Sequence, residues 1–92
     1  MGTTTHYQAR CAERGIPLAA HRVVSVHGRK FRNRRGERIH FLDSLGAWIA
    51  RQAGLDIFRY VGIAVIEGAN GVAITSYRVD EDEARRRWEV VA

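Results

Sequence analysis

Hydrophobic residues recur along the chain in two periods, and each change of period marks a predicted element. Residues 3–14 carry Tyr7, Ala9, Cys11 and Ala12 in a weak helical stripe. Thr5 is its candidate cap, and Gly15 followed by Pro17 stops it. Residues 16–20 form a connection. Residues 21–27, HRVVSVH, are a β-branched run and predict a first strand, with Arg22, Val24 and Val26 on one face. Gly28 opens a turn. The FRNRR that follows is either a short second strand or part of one long hairpin loop, and Gly36 makes the next turn. Residues 37–42, ERIHFL, alternate: Glu37, Ile39 and Phe41 on one face, Arg38, His40 and Leu42 on the other, the mark of a half-buried strand.

The period then lengthens. Asp43 or Ser44 caps a helix over residues 43–53, and Leu45, Trp48, Ile49 and Gln52 fall at i, i+3, i+4 and i+7. The three apolar members predict its buried face, and Gly54 stands where a C-terminal glycine should. Residues 56–67 predict the longest strand, apolar on both faces from Tyr60 to Ile66 and so central in a sheet, with Gly62 leaving room for the Trp48 ring. Residues 68–71, Gly-Ala-Asn-Gly, make a hairpin loop, and residues 72–79 return as a strand. Asp80 with Glu83 is a capping-box pattern opening a last helix, in which Ala84, Trp88 and Val91 share a face. A rival reading ends that helix early and makes RWEVVA an edge strand. Trp48, Trp88, Phe41, Phe58 and Tyr60 are spaced as core. The pattern gives an α+β fold: a mainly antiparallel sheet of four to five strands, one main packing helix at 43–53, and short terminal helices.

Composition bounds this picture. The 92 residues are 46% apolar, which predicts one globular domain over 1–92 rather than a disordered chain. A single cysteine, Cys11, excludes an internal disulfide and fits a reducing cytosol. No stretch approaches the roughly 18 apolar residues of a membrane span, and MGTTTHYQARC has no apolar signal region. The expectation is a chain with no membrane partner in the cytoplasm of a bacterial host. Gly2 after Met1 is a fragment of a myristoylation motif, set against a cationic, Ala/Arg-rich composition of bacterial type. Arginine outnumbers lysine 14 to 1, which fits a GC-rich bacterial or phage genome and suits phosphate recognition.

Charge changes the picture most. Between positions 29 and 38 stand Arg29, Lys30, Arg32, Arg34, Arg35 and Arg38 against the single acid Glu37. The net charge of the whole chain is +5, so all of it sits in this segment and the remainder is balanced. A localised field of this kind faces a polyanion. The basic hairpin is therefore the candidate binding site, its cations neutralising phosphates and Phe31 and His40 offering rings for base stacking. The bland alternatives are a solvated mobile loop, or a loop facing an acidic protein surface. Arg85-Arg86-Arg87 is a second basic run, read as neutralised by Glu81, Asp82 and Glu83 four residues earlier.

Other chemistry is thinly represented. His6, His21, His27 and His40 match no zinc spacing, Cys11 has no cysteine partner, and no nucleotide or hydrolase motif occurs. No cofactor or metal is expected. Glu37 with His40, backed by Arg38, is the one candidate acid–base pair, of the kind a small ribonuclease toxin would use, but the alternation sends the two to opposite faces.

Two resemblances follow from these elements. The helix-strand-strand-strand-helix order of residues 5–54 resembles a double-stranded-RNA-binding domain, although Asp43-Ser44-Leu45-Gly46 stands where that family carries its basic cluster. The curved hairpin, the polar-capped helix carrying Trp48 and the second hairpin resemble small phage-encoded proteins, the type I anti-CRISPR proteins among them. That resemblance implies stoichiometric inhibition without chemistry. It also implies that the arginine hairpin docks on guide RNA, on the target-DNA path, or on acidic faces of a host RNA-guided (CRISPR-Cas) complex. The leading expectation is thus a non-enzymatic, phage- or mobile-element-borne binder of a nucleic-acid-containing complex. A free RNA- or DNA-binding accessory domain and a small ribonuclease toxin are the alternatives.

Overall fold

The computed structural model describes residues 4–90, with Val90 described by its backbone alone; Gly2 and Val91, singled out above, lie outside the described residues. Helix α1 (Thr5–Glu13) is capped one residue earlier than expected, by Thr4, whose hydroxyl accepts from the Tyr7 amide at 3.1 Å. Helix α2 (Leu18–His27) occupies the run predicted as a first strand. β-branched residues favour strands only where a pleated surface receives them, and here packing overrides that preference. Pro17 fixes the backbone ahead of the first turn and Gly28 closes the last. Ala20 and Val24, four apart, face the core, and the Ser25 hydroxyl donates to the His21 carbonyl across one helical turn at 2.6 Å. The double-stranded-RNA-binding order fails at the same point, because residues 5–54 run helix, helix, strand, strand, helix.

The rest of the chain builds the expected α+β fold. Strands β1 (Arg29–Arg32) and β2 (Arg38–Phe41) form the basic hairpin, and α3 (Ser44–Gln52) follows. The segment read as one long strand is split into a 3-10 turn, Phe58–Tyr60, and a shorter β3 (Ile63–Glu67) that is buried throughout. Strand β4 (Ala73–Arg78), helix α4 (Glu81–Arg87) and the two-residue β5 (Glu89–Val90) complete the order. Both readings of the C-terminal segment were partly right: the capped helix forms, then ends early and yields an edge strand. The sheet order is β4-β3-β2-β1-β5, and every neighbouring pair is antiparallel.

Each face of the sheet has a core. On the first, Leu42, Ile63 and Val65 pack with Tyr7, Cys11 and Val24 from α1 and α2. On the second, Phe31, Ile39, Phe41 and Ala64 pack with Ala84 and Trp88 under α4. Arg14 ties α1 to the outer strand, donating to the Thr75 hydroxyl at 2.7 Å and the Ser76 carbonyl at 2.6 Å. That occupies part of an edge that would otherwise template further strands.

Helix α3 corrects the largest expectation from the sequence. Leu45, Trp48 and Ile49 are 53%, 54% and 57% exposed, and the side turned inward carries Ala47 and Ala50. The first face of the sheet already lies under α1 and α2, so α3 sits beside α2 on its small-residue side. A Cβ at Gly46 would stand 3.1 Å from the His27 carbonyl oxygen, tighter than side chains ordinarily pack, so a glycine eases that approach. Gly62 accordingly lies against the Val79 carbonyl and not against the Trp48 ring. Phe58, also spaced as core, is partly exposed, whereas Phe41, Tyr60 and Trp88 are buried as expected. No helix among the described residues is long and apolar enough to cross a membrane.

Candidate nucleic-acid interface

The tip of the basic hairpin is built, not slack. Asn33 organises it: its side-chain carbonyl accepts from the amides of Arg35 and Glu37, each at 3.0 Å. Its side-chain nitrogen donates to the Glu37 carboxylate at 2.8 Å. Gly36 takes a positive φ of 78°, and its amide closes the turn on the Asn33 carbonyl at 3.1 Å. One consequence is electrostatic. The lone acid of the segment is tied to Asn33 and pairs with none of the neighbouring arginines, among the described residues.

The sheet order brings the second basic run to this tip. Strand β4 lies at one edge and β5 at the other, so the intervening α4 crosses the second face of the sheet. Strand β5 pairs with β1, Arg32 opposite Glu89, which sets the C-terminal end of α4 beside the hairpin turn. The acidic start of the helix is held at the other end. Asp80 caps it through the Glu83 amide at 2.8 Å, and the Glu81 carboxylate accepts from the Ser44 amide and hydroxyl. Those two bonds hold the Glu81 carboxyl below its ordinary range. The helix thus separates its charges along its length, acids toward α3 and arginines toward the hairpin.

Two adjoining hollows of about 400 Å³ each lie between these parts. Arg32, Arg34 and Arg35 line them from the hairpin, and Arg85, Arg86 and Arg87 from α4. Trp88 forms part of the wall and Glu89 is the one acid on the lining. Of the three i,i+4 pairs expected to neutralise α4, only Glu83–Arg87 forms an ion pair, at 2.6 Å, and Arg87 also donates to the Tyr77 hydroxyl. Glu81 is engaged by Ser44. No acid among the described residues pairs with Arg85 or Arg86, nor with Arg32, Arg34 or Arg35. The reading of Arg85-Arg86-Arg87 as a neutralised helix face is therefore corrected, and this run is the part of the candidate site that the sequence reading left out. The run was visible; the acids four residues before it hid it, and nothing local told that residues 89–90 pair with β1.

The other expected site residues lie outside the two hollows. Lys30 and Arg38 are exposed on the face that also carries His40 and, at its tip end, Arg32; of these only Arg32 lines a hollow. Arg29 is drawn away to the Asp43 carboxylate at 3.4 Å. Phe31 offers no ring for base stacking. It is 2% exposed, packed against Phe41 and Trp88 with ring centroids 6.3 and 6.0 Å away. His40 is likewise internal, at 5% exposure, with Nε2 3.2 Å from a buried Glu67 carboxylate oxygen. Burial disfavours the imidazolium and lowers the His40 pKa, with Glu67 opposing and Lys30 and Arg38 reinforcing the shift. A neutral ring places its hydrogen on Nε2, toward Glu67. The acid–base pair of Glu37 and His40 is not assembled: one carboxylate serves the turn and the imidazole faces a different acid. No group of three His, Cys, Asp or Glu side chains among the described residues is placed to hold a metal ion.

No family model, no curated protein and no solved structure matches the chain.

Proposed function

We propose that the protein is a non-enzymatic binder of nucleic-acid backbone, and that phosphates enter the groove between the hairpin tip and the end of α4. One observation carries the reading: two basic runs, fifty residues apart in the chain, line one groove with six guanidinium groups and a single acid. Like charges at such density repel, and a bound polyanion offsets that cost. Arginine suits the task, because its planar fork meets two phosphate oxygens at once. Both stacking candidates are in the core, so recognition rests on backbone charge and shape more than on base contacts.

The setting we favour is a nucleoprotein. A short, rigid, arginine-lined groove fits a backbone segment presented on a complex, as an inhibitor of an RNA-guided host complex would require. The test is a pull-down from bacterial lysate, with and without nuclease, against a variant carrying Arg34→Glu, Arg35→Glu and Arg86→Glu. Discrete proteins with a small RNA, captured by wild type alone, support the nucleoprotein setting. Heterogeneous nucleic acid that nuclease removes supports a free RNA or DNA binder. Identical recovery by wild type and variant refutes the groove as the binding surface.

A further inference from the structure

The face of α3 that the sequence marks for burial is covered by nothing in the fold. Leu45, Trp48 and Ile49 form one stripe on a helix whose only charged residue is Arg51, and each is more than half exposed. Their exposed portions amount to roughly 350 Å² of apolar surface, at the scale where a monomer's largest patch is commonly a working surface. We propose that this face is the contact between two copies of the chain, packed α3 against α3 in antiparallel fashion about a two-fold axis.

Three observations favour a second copy. First, the stripe is self-complementary. Apolar residues occupy its centre, and an isologous contact requires the same patch on both sides. Second, the charges at its ends match in the antiparallel arrangement alone. Ser44 and Gln52 lie roughly 12 Å apart along the helix, so pairing centred on Trp48 sets the Arg51 end of one copy against the Ser44 end of the other. Glu81 is anchored there, on the Ser44 amide and hydroxyl. Arg51 is exposed and has no ion pair among the described residues, so each copy offers the other one guanidinium and one carboxylate. Third, the area is of the right order. A typical interface buries about 800 Å² per partner, of which roughly 65% is apolar in homodimers. The stripe supplies about two-thirds of that apolar share, which fits a reversible dimer. The basic groove lies at the opposite end of α4, so pairing through α3 leaves both grooves open. The inference does not depend on what the groove binds.

The test uses the full chain freed of nucleic acid at high salt, by sedimentation over a concentration series. The mass should rise from that of the 10.4 kDa chain toward twice that value. Tryptophan emission should move to the blue over the same range, because Trp48 becomes covered while Trp88 is buried throughout. Ile49→Lys should weaken association by about a hundredfold or more, since an unpaired charge is desolvated in the contact, and leave the melting temperature unchanged at concentrations where both proteins are monomeric. Arg51→Glu and Glu81→Arg should each weaken it, and the two together should restore it. A wild type that stays at the mass of one chain overturns the proposal and assigns the face to a different protein. So does Ile49→Lys that still dimerises, open-ended association in place of a dimer, or a charge swap without rescue.

Discussion

The chain has two tryptophans, and the structure assigns them opposite roles, so replacing each by alanine tests the arrangement of helices directly. Trp88 is 6% exposed and touches Phe31, Phe41 and Tyr77 with ring centroids 6.0, 6.4 and 6.2 Å away. It joins α4 to the hairpin and so fixes the groove. Truncating a buried tryptophan costs about 3–5 kcal/mol, and three aromatic partners place this one near the upper end, about 4–5 kcal/mol. A domain of this size has about 5–10 kcal/mol in all, so Trp88→Ala removes roughly half of it. With a urea slope of about 1.5 kcal/mol/M, the midpoint should fall by about 3 M. Trp48 is 54% exposed on α3. Its truncation removes little packing and gains slightly in helix propensity, so the change should lie within about 0.5 kcal/mol. Urea unfolding followed by far-ultraviolet circular dichroism, at a concentration low enough to keep the chain monomeric, measures both. Equal losses, or a larger loss for Trp48, would mean that α3 faces inward as its sequence stripe suggests, and would refute the packing described here.

Other consequences follow from named contacts. Asp43 caps α3 through the Gly46 amide at 2.7 Å and pairs with Arg29 at 3.4 Å, so Asp43→Ala should cost about 1–2 kcal/mol in the same unfolding assay. Burial lowers the pKa of both His40 and His21, so the folded chain binds fewer protons than the unfolded chain near and below pH ~6.5. Stability should therefore fall as pH drops from about 6.5 toward 5, and His40→Gln should flatten that slope; a wild type whose stability rises on acidification contradicts the burial of these rings. Glu81 acts lower on the scale: its depressed pKa contributes stability that is lost only below the ordinary glutamate range, and Ser44→Ala should shrink that acid-side loss.

The parts legible in the sequence were those whose signals are local. The Asp43 and Asp80 caps, the alternation of residues 38–41 and the glycine turns each form where the chain says they should. So did the location of the basic hairpin. What failed depended on who covers whom. The valines of α2 form a helix because Pro17 and Gly28 bracket the run and the sheet needs a cover. The α3 stripe predicted the right helix and the wrong orientation, because a stripe shows that a face is apolar, not that the same chain buries it. For the groove, half was plain in Arg32, Arg34 and Arg35. The other half needed the pairing of β5 with β1, a contact some sixty residues long that no local pattern reports.

The groove itself is tested most directly by the salt dependence of binding. Fluorescence anisotropy with a labelled oligonucleotide over a potassium chloride series gives the slope of log affinity against log salt. Each phosphate neutralised on a single strand adds about 0.7 to that slope, and about 0.9 on a duplex. Four engaged arginines thus predict a slope near −3 on a single strand. Arg34→Ala with Arg35→Ala, and separately Arg85→Ala with Arg86→Ala, should each flatten it by about 1–2 and weaken binding roughly fivefold per lost contact at physiological salt. Lys30→Ala with Arg38→Ala, which line neither hollow, should change little. If the α4 pair binds as wild type does, or if Lys30 and Arg38 matter as much as the groove arginines, then the two basic runs do not form one surface and the proposed function is wrong.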